Sequence, residues 1–381
     1  MSVYHQMGND SFNLIGDMPS YVGAILSPVN DDMDAVAAIV RKTALRTSFE
    51  LIFDPQLYFP RSQRGQLGTW NYFPKDVDTA DVTSESWWHG VNDELIRTVA
   101  ALGISKVCSP ACFADTMPDD RYTFDVECTR QLCDSASKNS IHVLQTAIVR
   151  LPEVAQADRP MRIASILSRT AASGLYVVFH GEGRPRDALA DTEQLKGAMR
   201  LLAALKEAGI PVLVGFAGPE IVLWKAAGAA DFATGKFFNV RRFTRSRFDE
   251  EEGGGGQLPY WFEEALMTYL RDSDLDRVSR RNDLSLASLA NPFGQKILEQ
   301  KKQNPKAAWI KLGWRQYMHW FGDAEARIQA GTLDIESHLI KAEQQWVALD
   351  EAKVLMEEVR NNGAWVRAWR RALVEYKKTG P

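Results

Sequence analysis

Short apolar stretches alternate with longer amphipathic ones through the first two-thirds of the chain. The short stretches are rich in β-branched and aromatic residues, as buried strands are. Seven of them lie at 21–29, 49–54, 105–113, 141–149, 174–181, 210–218 and 230–238. Segments with helical periodicity lie between them, at 31–42, 91–103, 122–137, 162–173, 191–209 and 219–228. Repeated strand–helix units indicate parallel strands and predict a TIM-type (β/α)₈ barrel, with a doubly wound open sheet as the alternative.

The pattern changes near Pro259, after which the chain is helical and rich in Trp and basic residues. We therefore predict a barrel over 1–258, with long loops at 61–88 and 241–258, and a C-terminal helical domain over 259–381. Tryptophans at helical spacing usually pack a core. Here they accompany Lys and Arg, so a stacking platform for single-stranded nucleic acid is the alternative. The tryptophans concerned are Trp309, Trp314, Trp320, Trp346, Trp365 and Trp369.

Composition narrows the class of protein. The chain has 381 residues, of which 45% are hydrophobic and 25% charged, as in ordinary globular proteins. No apolar run approaches the roughly 20 residues of a membrane span, and the first residues lack the features of a signal peptide. We expect a cytoplasmic protein that does not enter a membrane. The net charge is −4, so any nucleic-acid partner would need a local basic patch.

No cofactor or metal is predicted. The dinucleotide-binding GxGxxG and the P-loop GxxxxGK[ST] are missing from every strand–helix junction of the sequence. The four cysteines lie at 108, 112, 128 and 133 and match no zinc-binding spacing, which favours reduced, buried thiols.

A barrel displays its chemistry where the strands end, on the loops that follow them. The first candidate is Asp54, which ends the apolar run FELIFD and precedes Pro55. A carboxylate there can act as an acid, a base or a hydrogen-bond acceptor. The alternative is a structural Asp that accepts bonds from the backbone, Arg61 or Arg64. Gln145, at the end of a later strand, is predicted to contact substrate.

His180 and Glu182 form the second candidate, in the segment VVFHGEGRPR. They alternate along an extended segment, so both side chains can point the same way. Together with Arg184 and Arg186 they predict acid–base chemistry or the binding of an anionic substrate. A metal site formed with Asp54 is a less favoured alternative.

Cationic residues follow the seventh strand. Lys236 is predicted to clamp a phosphate or pair with a carboxylate, with a Schiff base as the less favoured alternative. The segment RRFTRSRF then places Arg241, Arg242 and Arg245 beside aromatic residues. Arg pairs with phosphate and aromatic rings stack on bases, so this patch predicts phosphate binding. The alternative is a solvated basic loop balanced by the acidic residues of DEEEGGGG.

Taken in order, several of these segments are similar to motifs of one known family. They are Phe53–Tyr58 (FDPQLY), AALGISKVCSPACF, Leu144-Gln145-Thr146, GLYVVFHGEG with Glu182, and Gly218-Pro219-Glu220 followed by AAGAADFATGKFF. Across roughly 45–240 the chain resembles the tRNA-guanine transglycosylase family, whose catalytic domain is a TIM barrel that exchanges nucleobases. The resemblance implies that Asp54 contacts a base or moves a proton and that Gln145 contacts the edge of the base.

Three family features are missing from the sequence. Ala233-Thr234 stands where the nucleophilic Asp is expected, and Pro110-Ala111 stands where a second base-contacting Asp is expected. No cysteine follows Cys133, so the family's zinc cluster has no ligands. These departures predict hydrolysis or binding instead of covalent base exchange.

Three functions are therefore considered. The first is action on, or binding of, a nucleic acid or nucleotide at an N-glycosidic bond. The second is a non-catalytic recognition subunit of a nucleic-acid-processing assembly, with a protein partner bound through the C-terminal helical domain. The third is hydrolysis of small anionic substrates by His180 and Glu182.

Overall fold

Eight parallel strands form a closed barrel in a computed structural model of the chain, which describes residues 2–9, 12–44, 48–249, 257–358 and 360–380. The barrel strands are β1 Val3–Gln6, β2 Tyr21–Leu26, β3 Glu50–Phe53, β4 Lys106–Cys108, β5 His142–Arg150, β6 Gly174–His180, β7 Val212–Gly215 and β8 Asp231–Thr234. The barrel closes where Tyr4 of β1 pairs with Ala233 of β8. The predicted (β/α)₈ barrel is confirmed, and closure excludes the open sheet.

Seven α-helices accompany the barrel strands within the described residues. They are α1 Met33–Thr43, α2 Glu85–Ala101, α3 Asp119–Ser137, α4 Leu151–Val154, α5 Arg159–Leu167, α6 Thr192–Glu207 and α7 Ile221–Ala226. Side chains cap several of their first turns. Asp32, Ser84 and Asp191 each accept a hydrogen bond from a backbone N–H two or three residues into the helix that follows. The predicted loop 61–88 therefore ends at Ser84.

The C-terminal segment begins with a hairpin that the sequence pattern did not predict. Strands β9 Trp261–Glu263 and β10 Thr268–Leu270 pair antiparallel. In the part of this segment that the structure describes, six helices follow: α8 Asp272–Arg280, α9 Leu286–Ala290, α10 Pro292–Gln303, α11 Ile310–Gln329, α12 Ile335–Glu351 and α13 Ala364–Thr379. The predicted helical character of this segment is thus confirmed, apart from six hairpin residues.

Helix α11 takes the position of the eighth barrel helix. Tyr317 of α11 bonds Thr234 of β8 at 3.2 Å, and the Tyr21 hydroxyl of β2 donates to the Met318 carbonyl at 3.0 Å. On the other side, Glu325 of α11 pairs with Lys225 of α7. The C-terminal segment therefore covers the outer face of the barrel where β8, β1 and β2 meet. That 259–381 forms a domain of its own stays a prediction.

Most C-terminal tryptophans pack the core and use their indole N–H groups there. Trp309, Trp320, Trp346, Trp365 and Trp369 are between 1% and 8% exposed, and each donates to a carboxylate or carbonyl. Trp314 alone of the six predicted tryptophans is half-buried. A stacking surface built from all of them is therefore excluded, and Trp314 remains as the ring near the barrel mouth.

Candidate ligand-binding site

A buried polar cluster fills the barrel where β1, β2 and β3 end. Asp54 is 1% exposed. Its Oδ2 accepts the Tyr58 hydroxyl at 2.9 Å, and its Oδ1 accepts the Gln56 backbone N–H at 3.0 Å. Arg247 reaches the same place from the loop after β8 and donates to the Ser27 hydroxyl at 2.8 Å. Asp54 thus lies at a strand end, as predicted, within a hydrogen-bonded network.

Burial dominates the electrostatics of this cluster. Desolvation raises the pKa of Asp54 to about 7, although bonds from Gln56 and Tyr58 and the charge of Arg247 oppose the shift. Burial also lowers the pKa of Arg247 to about 10, against the attraction of Asp54. Asp54 therefore changes its protonation state near neutral pH.

Aromatic side chains cover the cluster on the loop side. The Phe243 ring lies 5.0 Å from the Tyr58 ring and 5.8 Å from the Phe248 ring. Trp70 donates to the Pro28 carbonyl at 3.2 Å, and Tyr72 donates to the Pro55 carbonyl at 3.0 Å. The loop that follows β3 is thereby fastened over the barrel end, and Asp54 does not line the cavity described next.

A cavity of about 510 Å³ opens beside this cover, and we call it the mouth cavity. Its described lining includes five cationic side chains and no carboxylate. The cationic residues are Arg64, Arg186, Lys236, Arg241 and Arg247. The wall also contains aromatic residues from the barrel and from the C-terminal segment, namely Phe237, Phe238, Tyr260 and Trp314. The cavity lies at the C-terminal ends of the strands, where TIM-barrel enzymes bind their substrates.

Two of the predicted phosphate-binding residues contribute to this lining. The Lys236 ammonium lies 4.6 Å from the centre of the Phe237 ring and 4.8 Å from that of Trp314, an arrangement that stabilises the cation. Arg241 donates to the Gly235 carbonyl and the Lys236 carbonyl, each at 2.8 Å, and stacks on the Tyr317 ring at 3.6 Å. Arg241 therefore fixes the turn that presents Lys236.

The remaining arginines of the predicted patch point in different directions. Arg242 is 6% exposed and lines a second cavity, described below. Arg245 is exposed and lies near Asp249 and the Phe59 ring. The structure thus divides this segment between two cavities and the surface. Residues 250–256 of the predicted loop, including most of DEEEGGGG, lie outside the described residues.

His180 and Glu182 lie apart from Asp54. The Phe243 ring contacts both sides: its centre lies 6.1 Å from that of the His180 ring and 5.0 Å from that of the Tyr58 ring, whose hydroxyl bonds Asp54. Burial and the nearby Arg150 lower the pKa of His180 to about 4, so it is neutral at pH 7. Glu182 is exposed. Arg184 is also exposed and forms a two-point ion pair with Asp187. The catalytic roles of His180 and Glu182 and the substrate contact of Arg184 stay predictions.

Gln145 lies on the helix-facing side of β5. The flanking Leu144 lines the barrel interior together with Lys106 of β4, and successive strand residues face opposite ways. Both polar atoms of the Gln145 side chain are buried and have no hydrogen-bond partner among the described residues. The structure does not bring Gln145 to the mouth cavity, and its contact with substrate stays a prediction.

Metal-binding side chains do not cluster in the described part of the chain. Within these residues no group of three or more His, Cys, Asp or Glu side chains is placed to hold an ion. The cysteines are free; three are buried and Cys133 is half-buried. No helix among the described residues is both long and apolar enough to cross a membrane.

Sequence reasoning did not identify Glu220 or Tyr260 as site residues. Glu220 lies in the turn after β7, so its place beyond a strand end was a usable signal. Tyr260 immediately precedes β9 and reaches the site from the C-terminal segment, and this long-range packing has no local pattern.

Comparisons with known proteins identify no family for the chain. No family model and no curated protein matches the chain. Among solved structures, a type I 3-dehydroquinate dehydratase from Clostridium difficile is 10% identical over 65% of this chain and 88% of that chain, with a TM-score of 0.37. The carboxyl transferase domain of Rhizobium etli pyruvate carboxylase is 10% identical, with a TM-score of 0.41, and the match covers 100% of this chain and 61% of that chain. A GH18 chitinase from Pseudoalteromonas aurantia is 12% identical over 63% and 95%, with a TM-score of 0.39.

These likenesses are too distant to indicate an activity. The closed eight-stranded barrel is what the chain shares with TIM-barrel proteins. Membership of the transglycosylase family stays a prediction.

Proposed function

We propose that the protein binds a small phosphate-bearing molecule of the nucleotide class in the mouth cavity. The observation that carries the proposal is the charge of that cavity, whose described lining has five cations and no carboxylate. Such a lining favours an anionic ligand, and Arg and Lys are the usual partners of phosphate. The loops after strands 7 and 8 frequently bind phosphate in TIM barrels, and Lys236 and Arg241 follow β8.

A mononucleotide suits the site better than a polynucleotide. The cavity volume of about 510 Å³ falls within the roughly 300–1,000 Å³ of small-molecule sites. A single strand needs a groove that tracks its backbone, whereas Arg241, Arg242 and Arg247 are buried and Arg245 is the one exposed arginine of this segment. The predicted action on nucleic acid is therefore narrowed to a nucleotide in our proposal.

Calorimetry with matched ligands tests this function. Adenosine and uridine 5′-monophosphates should bind at least about 10-fold more tightly than adenosine and uridine, because only the phosphate meets the cationic lining. Lys236→Gln should weaken monophosphate binding by about 10-fold. Arg245→Gln, in the same segment but outside the cavity lining, is the matched control and should leave binding unchanged. Equal affinity for a monophosphate and its nucleoside would contradict the proposal.

A second candidate function is acid–base chemistry at the N-glycosidic bond of such a ligand. The observation that favours it is the position of Asp54, which directly follows β3 at the C-terminal end of the barrel and is 1% exposed. Its burial raises its pKa to about 7, and proton transfer is most efficient when the pKa of the group is close to the working pH. Tyr58 and Phe243 cover Asp54, so this reaction requires the loop around Phe243 to move. Nucleotide binding does not depend on this second function.

A further inference from the structure

A second, smaller cavity adjoins the mouth cavity, and we call it the side chamber. Its volume is about 250 Å³, and it lies between the barrel end and the C-terminal segment. Arg186, Arg241 and Tyr260 line both cavities, so the two are neighbours across these side chains. The side chamber alone is smaller than the roughly 300 Å³ at which small-molecule sites begin. It is therefore the right size for one part of a ligand whose other part lies in the mouth cavity.

Arg242 lines the side chamber with an unused guanidinium. The residue is 6% exposed, and its side chain makes no hydrogen bond or ion pair within the described ranges. Burial lowers its pKa, and the charge of Glu220 opposes this shift most strongly. A buried guanidinium with five unused donors is costly unless a hydrogen-bond acceptor meets it. The side chamber thus offers donors to a ligand.

Glu220 supplies the complementary group in the same chamber. It is 4% exposed, and its Oε1 accepts the Gly218 backbone N–H at 3.1 Å. Burial raises its pKa, and Arg242 opposes the shift. No ion pair within 4 Å joins Glu220 to Arg242 in the described part of the chain, although each affects the pKa of the other. The two buried groups therefore face a common space without closing on each other.

The other carboxylates of the side chamber are already engaged. Asp187 accepts from Arg184 and Arg360. Glu358 accepts the Tyr260 hydroxyl at 3.0 Å and pairs with Arg186 at 3.3 Å. Aromatic residues such as Trp365 and Tyr269 form much of the remaining wall. Glu220 and Arg242 are thus the charged groups of the described lining left for recognition, beside the unpaired Tyr269 hydroxyl. The aromatic wall suits a planar ring, which can stack on it.

We propose that the side chamber binds the heteroaromatic base of the ligand and that Glu220 and Arg242 determine which base is accepted. A ring edge with an N–H beside a carbonyl, such as the lactam edge of uracil or hypoxanthine, would donate to Glu220 and accept from Arg242. The phosphate would lie in the mouth cavity, across Tyr260. This inference rests on the proposed function and extends it from phosphate binding to recognition of the base. Both residues are specificity determinants here, and no chemical step is assigned to them.

Calorimetry with three ligands tests base recognition in the intact protein. Uridine 5′-monophosphate should bind at least about 10-fold more tightly than ribose 5-phosphate, which lacks the base. Its N3-methyl derivative, which lacks the ring N–H, should lose most of that advantage. Equal binding of uridine 5′-monophosphate and ribose 5-phosphate would overturn base recognition while leaving phosphate binding intact. Failure of both to bind would overturn the proposed function and this inference with it.

Variants locate the recognition at Glu220. Glu220→Gln should weaken uridine 5′-monophosphate binding by about 10-fold and leave ribose 5-phosphate binding unchanged, because a charge-assisted hydrogen bond becomes a neutral one. Asp187→Asn is the matched control, since its carboxylate is occupied by Arg184 and Arg360, and it should preserve the preference. A Glu220→Gln protein with the wild-type ratio of the two affinities would overturn the assignment. If Glu220→Gln prevents folding, the wild-type protein alone still tests recognition of the ring N–H, through its relative affinity for the N3-methylated and unmethylated nucleotides.

Discussion

Replacing Glu325 by Ala should lower the free energy of unfolding by about 3–5 kcal/mol. Lys225 of α7 and Glu325 of α11 form an ion pair in which the residues are 9% and 6% exposed. Removing Glu325 takes away the carboxylate that pairs with the buried Lys225 ammonium, and breaking a buried ion pair is strongly destabilising. The pair also joins the barrel to the helix that takes the eighth barrel position. Urea denaturation followed by circular dichroism measures the change.

Two further variants separate the buried charge from the loss of packing. Glu127→Ala removes one member of an exposed ion pair with Arg130 and should have little effect. The double variant Lys225→Met with Glu325→Leu should restore much of the lost stability, because both buried charges of the pair are then removed. A Glu325→Ala protein as stable as Glu127→Ala would contradict this role of the pair.

The second large effect concerns the pH dependence of stability at Asp54. Folding raises the pKa of this carboxyl from an ordinary 3.8 to about 7. Between these two values the folded protein holds a proton that the unfolded chain has released, so stability falls as the pH rises from about 4 to about 7. The expected fall from this group is about 4 kcal/mol. Asp54→Asn carries no titrating group and should lack this part of the decline.

The difference between the two proteins isolates Asp54. Burial also raises the pKa of Asp125, to about 6, but that residue is present in both proteins and its contribution cancels. We measure denaturant unfolding at pH 4, 5, 6, 7 and 8. The free energy of unfolding of Asp54→Asn, relative to that of the wild type, should rise with pH up to about pH 7. A difference in stability that stays constant from pH 4 to pH 8 would show that Asp54 keeps an ordinary pKa.

The same variant tests the second candidate function. If Asp54 carries out the acid–base step, the wild-type protein should release free base from a nucleoside monophosphate and the Asp54→Asn protein should not.

The barrel was predictable because its signal is repeated and local. Buried strands and amphipathic helices alternate along the chain, and each repeat supports the next. Strand β1 was missed since it has only four residues, and two of them, His5 and Gln6, are polar. The Gln6 side chain is satisfied in part by the Tyr176 hydroxyl at 3.0 Å, a contact between the first and sixth strands that no local pattern shows.

The site was predictable only in part. The strand-end rule correctly placed Asp54 and Lys236 at the C-terminal end of the barrel, because the ends of parallel strands share one rim. It does not show which way a side chain points, and Gln145 faces the helices instead. The patch 241–247 was predicted as one surface. The backbone turns within it and sends Arg242 and Arg247 to different cavities, a division that no local sequence pattern shows.

Crystallographic location of a bound nucleotide tests the central claim most directly. In crystals grown with uridine 5′-monophosphate, we expect density for the phosphate in the mouth cavity, within hydrogen-bonding distance of the Lys236 ammonium and the Arg247 guanidinium. Phosphate density elsewhere on the protein, or a mouth cavity that stays without ligand at saturating nucleotide, would contradict the account.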